Sequence, residues 1–170
     1  MKIISRWWIY QIICLWILLS GSVYATTRIA ILEFELLDLT LAPRIQEEKE
    51  RAASIKPMLE KILEAKGGYQ LIHINSNAQH NANQGVGYLF DHHDVVAKLG
   101  QQVGAEFVVM GRVHKASHLF VYFLVQLVNV KTQRLVGNYV VEIKGPQKKL
   151  TLKGVERVAE KISKTLKSHL

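Results

Sequence analysis

Cysteine is nearly missing from this chain. The single one, Cys14, lies inside an amino-terminal apolar run. Loss of that run would leave no thiol, so no disulfide is available even where export would permit one. Ile13 precedes it and is too large for a lipoprotein processing site, which excludes a lipid anchor there. Also missing are a glycine-rich phosphate loop, a nucleophile motif with a partner base, an internal repeat and a nucleic-acid reading motif. These absences argue against an enzyme and against nucleic acid as a partner. No cofactor is implied.

What is present begins with a targeting pattern. Lys2 and Arg6 give a positive start, Trp7 to Leu19 an apolar run, and Val23-Tyr24-Ala25 a small-residue cleavage site. That is the order of a secretory signal, and cleavage is expected between Ala25 and Thr26. The alternative is an inner-membrane anchor formed by residues 7–24. The run is short for a span, which needs roughly 20 apolar residues, and Gln11 interrupts it. The expected organisation is a signal peptide over residues 1–25 and one domain over 26–170, periplasmic or secreted. The domain is long enough to be held by its core alone.

The chain carries 22 Lys+Arg against 14 Asp+Glu, a net charge of +8. Removal of Lys2 and Arg6 with the signal leaves 20 against 14, or +6. In an exported protein this balance points to an anionic membrane or cell-wall surface, or to an acidic envelope protein. Solubility alone accounts for it equally well.

Along the domain, Arg28 to Phe34 is nearly continuous apolar and fits a central strand covered on both faces. Residues 45–53 are helix-prone. Ser54 and Pro57 suggest a second helix start, with Ile55, Leu59 and Ile62 on its apolar stripe and Gly67-Gly68 as its stop. Tyr69 to Ile74 reads as a strand and residues 75–87 as a polar surface loop. A helix over 91–103 is expected, capped by Asp91 with Asp94 as its acidic partner. Strands follow over 105–113, 119–130 and 135–144, and a helix over 150–169 ends the chain. The fold class is therefore α/β (α+β): a single mixed sheet of about five strands, ordered β-α-β-α-β-β-β-α.

Ile29-Ala-Ile-Leu-Glu-Phe-Glu-Leu36, Gly104-Ala-Glu-Phe-Val-Val-Met-Gly-Arg-Val113 and the strand pair after them resemble a class of envelope domains. That class includes the TolB amino-terminal, CsgG-like curli-secretion and penicillin-binding-protein-activator domains. Glu33 to Asp38, Tyr88-Leu-Phe-Asp91 and Val113-His-Lys-Ala-Ser117 further resemble a small secreted bacterial family of unknown function (domain-of-unknown-function number 3280). The resemblance spans nearly the whole domain. It implies a non-catalytic envelope module that works by contact with an envelope protein, and it transfers no activity. Relatives carry a cysteine pair near positions 92 and 95. Here His92 and Val95 stand there, so no redox role is implied.

Three polar groupings remain. His80, His92 and His93, with Asp91 and Asp94, are candidate metal ligands, but consecutive helical residues diverge by about 100° and cannot all face one ion. The bland alternative is helix capping and solvation. Glu33, Glu35 and Asp38 lie at the carboxyl end of a central strand, where α/β sheets gather ligand sites. They are candidate interaction residues or an acid–base pair, against a role in turn-making. Lys153, Arg157, Lys161 and Lys164 form the basic side of the last helix. They are candidates for contact with anionic lipid or an acidic protein, against a merely solvated face. His114 and His118 read as solvated turn residues.

Overall fold

The apolar run after Arg28 does form the middle of a sheet, though not as one strand. The computed structural model describes residues 26–41, 45–117, 119–144 and 148–168, with the side chains of residues 45 and 148–150 outside that description. The expected signal peptide and its cleavage site up to Ala25, and His118, lie outside the described residues. The strands are β1 (Thr27–Ile31), β2 (Glu35–Asp38), β3 (Tyr69–Ile72), β4 (Phe107–Lys115), β5 (Phe120–Asn129) and β6 (Arg134–Lys144). The helices are α1 (Ile45–Lys66), α2 (Ser76–Ala82), α3 (Tyr88–Asp91), α4 (His93–Gln102) and α5 (Lys148–Lys167). The sheet order is β3-β1-β4-β5-β6, and β2 pairs with β4 off that path. β1 runs parallel to β3 and β4, and β4-β5-β6 is an antiparallel meander.

The sheet thus has six strands rather than five, because the first run splits. β1 lies beside Phe107 to Val109, and β2 resumes beside Arg112 to Lys115. Between them the side-chain alternation slips by one residue. Ile29 and Ile31 face one core, Ala30 and Leu32 the other, and then Phe34 and Leu36 return to the first. The slip places the Phe34 ring where a Cβ on Gly111 would stand, so only glycine fits at 111. It also frees the backbone of Glu33 from the sheet. Gln79, buried on α2, takes both groups: Glu33 N–H donates to Oε1 at 2.8 Å and Nε2 donates to the Glu33 carbonyl at 3.0 Å.

The two faces of the sheet carry separate cores. On one, α1 and α5 bury Ile55, Leu59 and Leu63 with Val155, Val158, Ile162 and Leu166, all 0% exposed. Each such side chain contributes roughly 1.5–3 kcal/mol. On the other, α4 buries Val96, Ala97 and Leu99 over Val108 and Met110. Gly100 lets α4 press onto Val108 and Val130, since a Cβ there would overlap both.

Three helical expectations are corrected. α1 is one 22-residue helix with Pro57 inside it, not two. Pro57 lies exposed, and the buried stripe Ala52, Ile55, Leu59 and Leu63 carries the helix past it. The polar segment after residue 75 contains α2, with Asn75 as N-cap accepting from the Asn77 amide at 2.8 Å. The helix expected over 91–103 is two helices broken at His92, whose φ of −121° and ψ of 70° are non-helical. Asp91 closes α3 and does not cap α4. Asp94 sits in the first turn of α4 and meets Lys98 at 3.7 Å.

Candidate functional site

β2 carries two acids into a sheet, and each needs a cation. Glu35 faces α3. Its Oε2 accepts from Arg112 Nη2 at 3.0 Å, Arg112 Nε at 3.2 Å and the Gly87 amide at 3.1 Å. Its Oε1 accepts from Asn83 at 3.3 Å. Arg112 in turn lies 4.4 Å over the Phe90 ring. Gly87 has φ 90°, and a Cβ there would stand 2.7 Å from Arg112 Nη2. Two guanidinium nitrogens thus converge on one carboxylate oxygen, a charge-assisted joint between β4 and β2.

Asp38 faces the opposite side. Its Oδ2 accepts from Lys115 at 3.2 Å, and Lys115 also reaches Glu48 on α1 at 3.2 Å. The side chains of Asp38 and Lys115 are 6% and 5% exposed. Glu48 meets Arg51 at 3.5 Å, and Arg51 Nε donates to Thr151 on α5 at 2.9 Å. Burial raises the Asp38 pKa, but hydrogen bonds from the Thr40 hydroxyl and amide and from Lys115, with the lysine charge, outweigh it. The net is a carboxyl held below its ordinary 3.8. Glu33, at the break, meets Lys56 at 3.2 Å and Ser76 at 3.4 Å. Each carboxylate of the expected cluster is therefore neutralised by its own cation, and Asp38 is held ionised. That arrangement braces β2 against β4, α1 and α2.

The histidines do not converge. His80 is exposed on α2. His92 stacks on Tyr88, with ring centroids 3.9 Å apart, and its Nδ1 donates to the Tyr88 carbonyl at 2.7 Å. His93 Nε2 lies 3.1 Å from Gln126 Oε1 on β5. The described partners of Glu35 are Arg112, Asn83 and Gly87, none of them a histidine. Among the described residues no group of three or more His, Cys, Asp or Glu is placed to hold a metal. His114 packs edge-on against Tyr122 rather than standing free.

The basic residues of α5 behave differently. Lys153, Arg157, Lys161 and Lys164 are all exposed, while Val155, Val158 and Ile162 between them pack on the sheet. None of the four makes an ion pair among the described residues. Lys153, Arg157 and Lys161 border a groove of about 430 Å³ against β6, whose other wall runs from Val140 to Lys144. Val140 there is 57% exposed.

Sequence reasoning identified the acids of the first group but missed Arg112, Lys115, Lys56 and Gln79, which hold them. A readable signal existed for two of these. Arg112 and Lys115 interrupt an otherwise apolar strand, and a strand-borne charge needs a partner. Gln79 gave none.

The DUF3280 family model, described as "Protein of unknown function (DUF2380)", matches residues 27–162. None of the curated proteins matches. Among solved structures the chain is similar to TolB from Acinetobacter baumannii, at 16% identity and a TM-score of 0.51, over 83% of this chain and 28% of that one. It is similar to LpoB from E. coli at 14% identity and a TM-score of 0.52, over 71% of this chain and 59% of that one. Lipoprotein GNA1162 from Neisseria meningitidis aligns at 16% identity and a TM-score of 0.51, over 81% of this chain and 96% of that one. The chain thus spans 28% of TolB and 59% of LpoB, and at these identities the shared property is the fold. Among the described residues, no helix is long and apolar enough to cross a membrane.

Proposed function

The chain belongs to that family of proteins of unknown function, and from this premise we propose that it is a non-catalytic contact module of the bacterial cell envelope. In this reading residues 1–25 are a signal peptide removed at Ala25, and the domain works in the periplasm or outside the cell. Amino-terminal sequencing of the exported chain should begin at Thr26. An inner-membrane anchor over residues 7–24 would keep that segment attached. The module docks a protein partner through the cationic side of α5.

One contrast carries this reading. The acids at the carboxyl end of β1 and along β2 are each matched by an internal cation, whereas Lys153, Arg157 and Lys161 have no acidic partner among the described residues. Charges matched inside the fold serve the fold, and unmatched charges along one face are available to a partner. We place contact on α5 and not on Glu35 or Asp38, whose side chains are 12% and 6% exposed. The likeness in fold to a lipoprotein supports an envelope setting.

Site-specific photo-crosslinking in intact envelopes tests the proposal. A crosslinker at position 157 or 161 should yield a discrete protein adduct, and one at Lys98 on the opposite layer should not. Absence of any adduct from α5, or equal adducts from both faces, would sink it.

A further inference from the structure

We infer that the groove between β6 and α5 takes an extended acidic segment of the partner, added to the sheet as a new strand beside β6. This rests on the contact-module reading above and says where and how the contact is made.

Among the described residues the sheet ends on β6, with no strand beyond it. β6 is 11 residues long, against four for β3 at the opposite edge. Half of an edge strand's N–H and C=O groups point away from its neighbour, and a long unpaired edge is a template for another strand. One wall of the groove is formed by five consecutive residues, Val140 to Lys144. Side chains of a strand alternate between faces, so consecutive residues line one groove only along the edge itself.

α5 lies alongside this edge. Gly154 is close enough to Ile143 that a Cβ would overlap it, and Tyr139 donates to Thr165 at 2.6 Å. Helix and strand therefore run in opposite directions side by side. Lys153, Arg157 and Lys161 recur every fourth residue, a rise of about 6 Å per step. Alternate side chains of an extended strand are spaced by about 6.6 Å. An added strand with an acid at every second position would set one carboxylate against each cation in turn. Its intervening side chains would fall on the other face, beside the exposed Val140. The wall's own acid, Glu142, is already met by Lys144 at 3.8 Å, so the groove presents net positive charge. Edge-to-edge pairing of two copies through β6 would bring two rows of the same cations together, which opposes self-association here.

The test uses protein purified from cells expressing the full chain. The probe is a capped nine-residue peptide alternating valine and glutamate (VEVEVEVEV). Fluorescence anisotropy should show binding that weakens with salt, and amide exchange should slow within Val140–Lys144. Two controls should bind about tenfold more weakly or worse: the isomer VVVVVEEEE, and the alternating peptide N-methylated on every second backbone amide. The triple variant K153E/R157E/K161E should lose about tenfold or more, while K98E, on the opposite layer, stays within about twofold. Circular dichroism confirms that both remain folded. No binding, binding with no protection in β6, or equal binding of the N-methylated peptide would overturn the inference. So would protection of the same amides by phosphatidylglycerol vesicles alone, or a dimer in sedimentation that the triple variant dissociates. If the α5 crosslink in envelopes persists while the peptide fails, the inference falls and the contact-module reading stands.

Discussion

At the scale of single residues, Arg112 ties β4 to β2 and to α3. It neutralises a carboxylate that is 12% exposed and covers Phe90. Arg112→Ala leaves the largely buried Glu35 with the Gly87 amide and Asn83 but no cation, which costs about 3–5 kcal/mol. Urea unfolding should show that loss, and the double change Arg112→Met with Glu35→Leu should recover most of it. Asp38 sets a pH dependence. Its native pKa lies below the ordinary 3.8, so its ionised form favours the native state. That contribution is complete above 3.8 and drains away as pH falls through the lowered native value. Asp38→Asn should flatten the acid-unfolding curve in that range and leave its slope near neutrality unchanged. Thermal melts over an acid series check this. Of these residues, the sequence displayed the acids, because Glu33, Glu35 and Asp38 stand out of an apolar run. Their pairing was not legible, since Arg112 and Lys115 lie 77 positions away.

At the scale of elements, the break between β1 and β2 organises one end of the sheet. Gln79 supplies the two hydrogen bonds that the break removes. Gln79→Ala should cost about 1–3 kcal/mol for each backbone group left without a partner. Gln79→Glu keeps the acceptor but sets a buried carboxylate oxygen against the Glu33 carbonyl, and should cost at least as much as the alanine change in the same denaturant series. Apolar periodicity gave the strands of the meander, β3 and α5 to within a few residues, because each buries a regular stripe, and it gave the stripe of α1 but not its continuity through Pro57. It failed wherever the period slipped. One extra residue near Glu33 turned one strand into two, and the non-helical turn at His92 split a helix whose apolar spacing looks continuous. α2 was hidden for a different reason. Its sequence is Ser-Asn-Ala-Gln-His-Asn-Ala, and its buried residue is Gln79, which no hydrophobic pattern reveals.

At the scale of the whole molecule, the two layers around the sheet differ in character. The α1/α5 layer covers one face and, among the described residues, ends in cations without an ion pair beside an edge strand without a neighbour. The α2–α4 layer covers the other, with His92, His93, Glu35 and Arg112 tied to internal partners. The fold class was legible from the order of periods, and the basic side of α5 from its spacing. That this side flanks a free edge was not, because strand order is set by long-range pairing. The central claim is that α5 and β6 form the contact surface. It is tested most directly by comparing amide exchange of the chain in its native envelope with that of the purified protein. The account predicts slowed exchange concentrated in Arg134–Lys144 and along α5, with β2 and the first half of α1 unchanged. Exchange that is identical in both settings, or slowed around Asp38 and Glu48 instead, would contradict it.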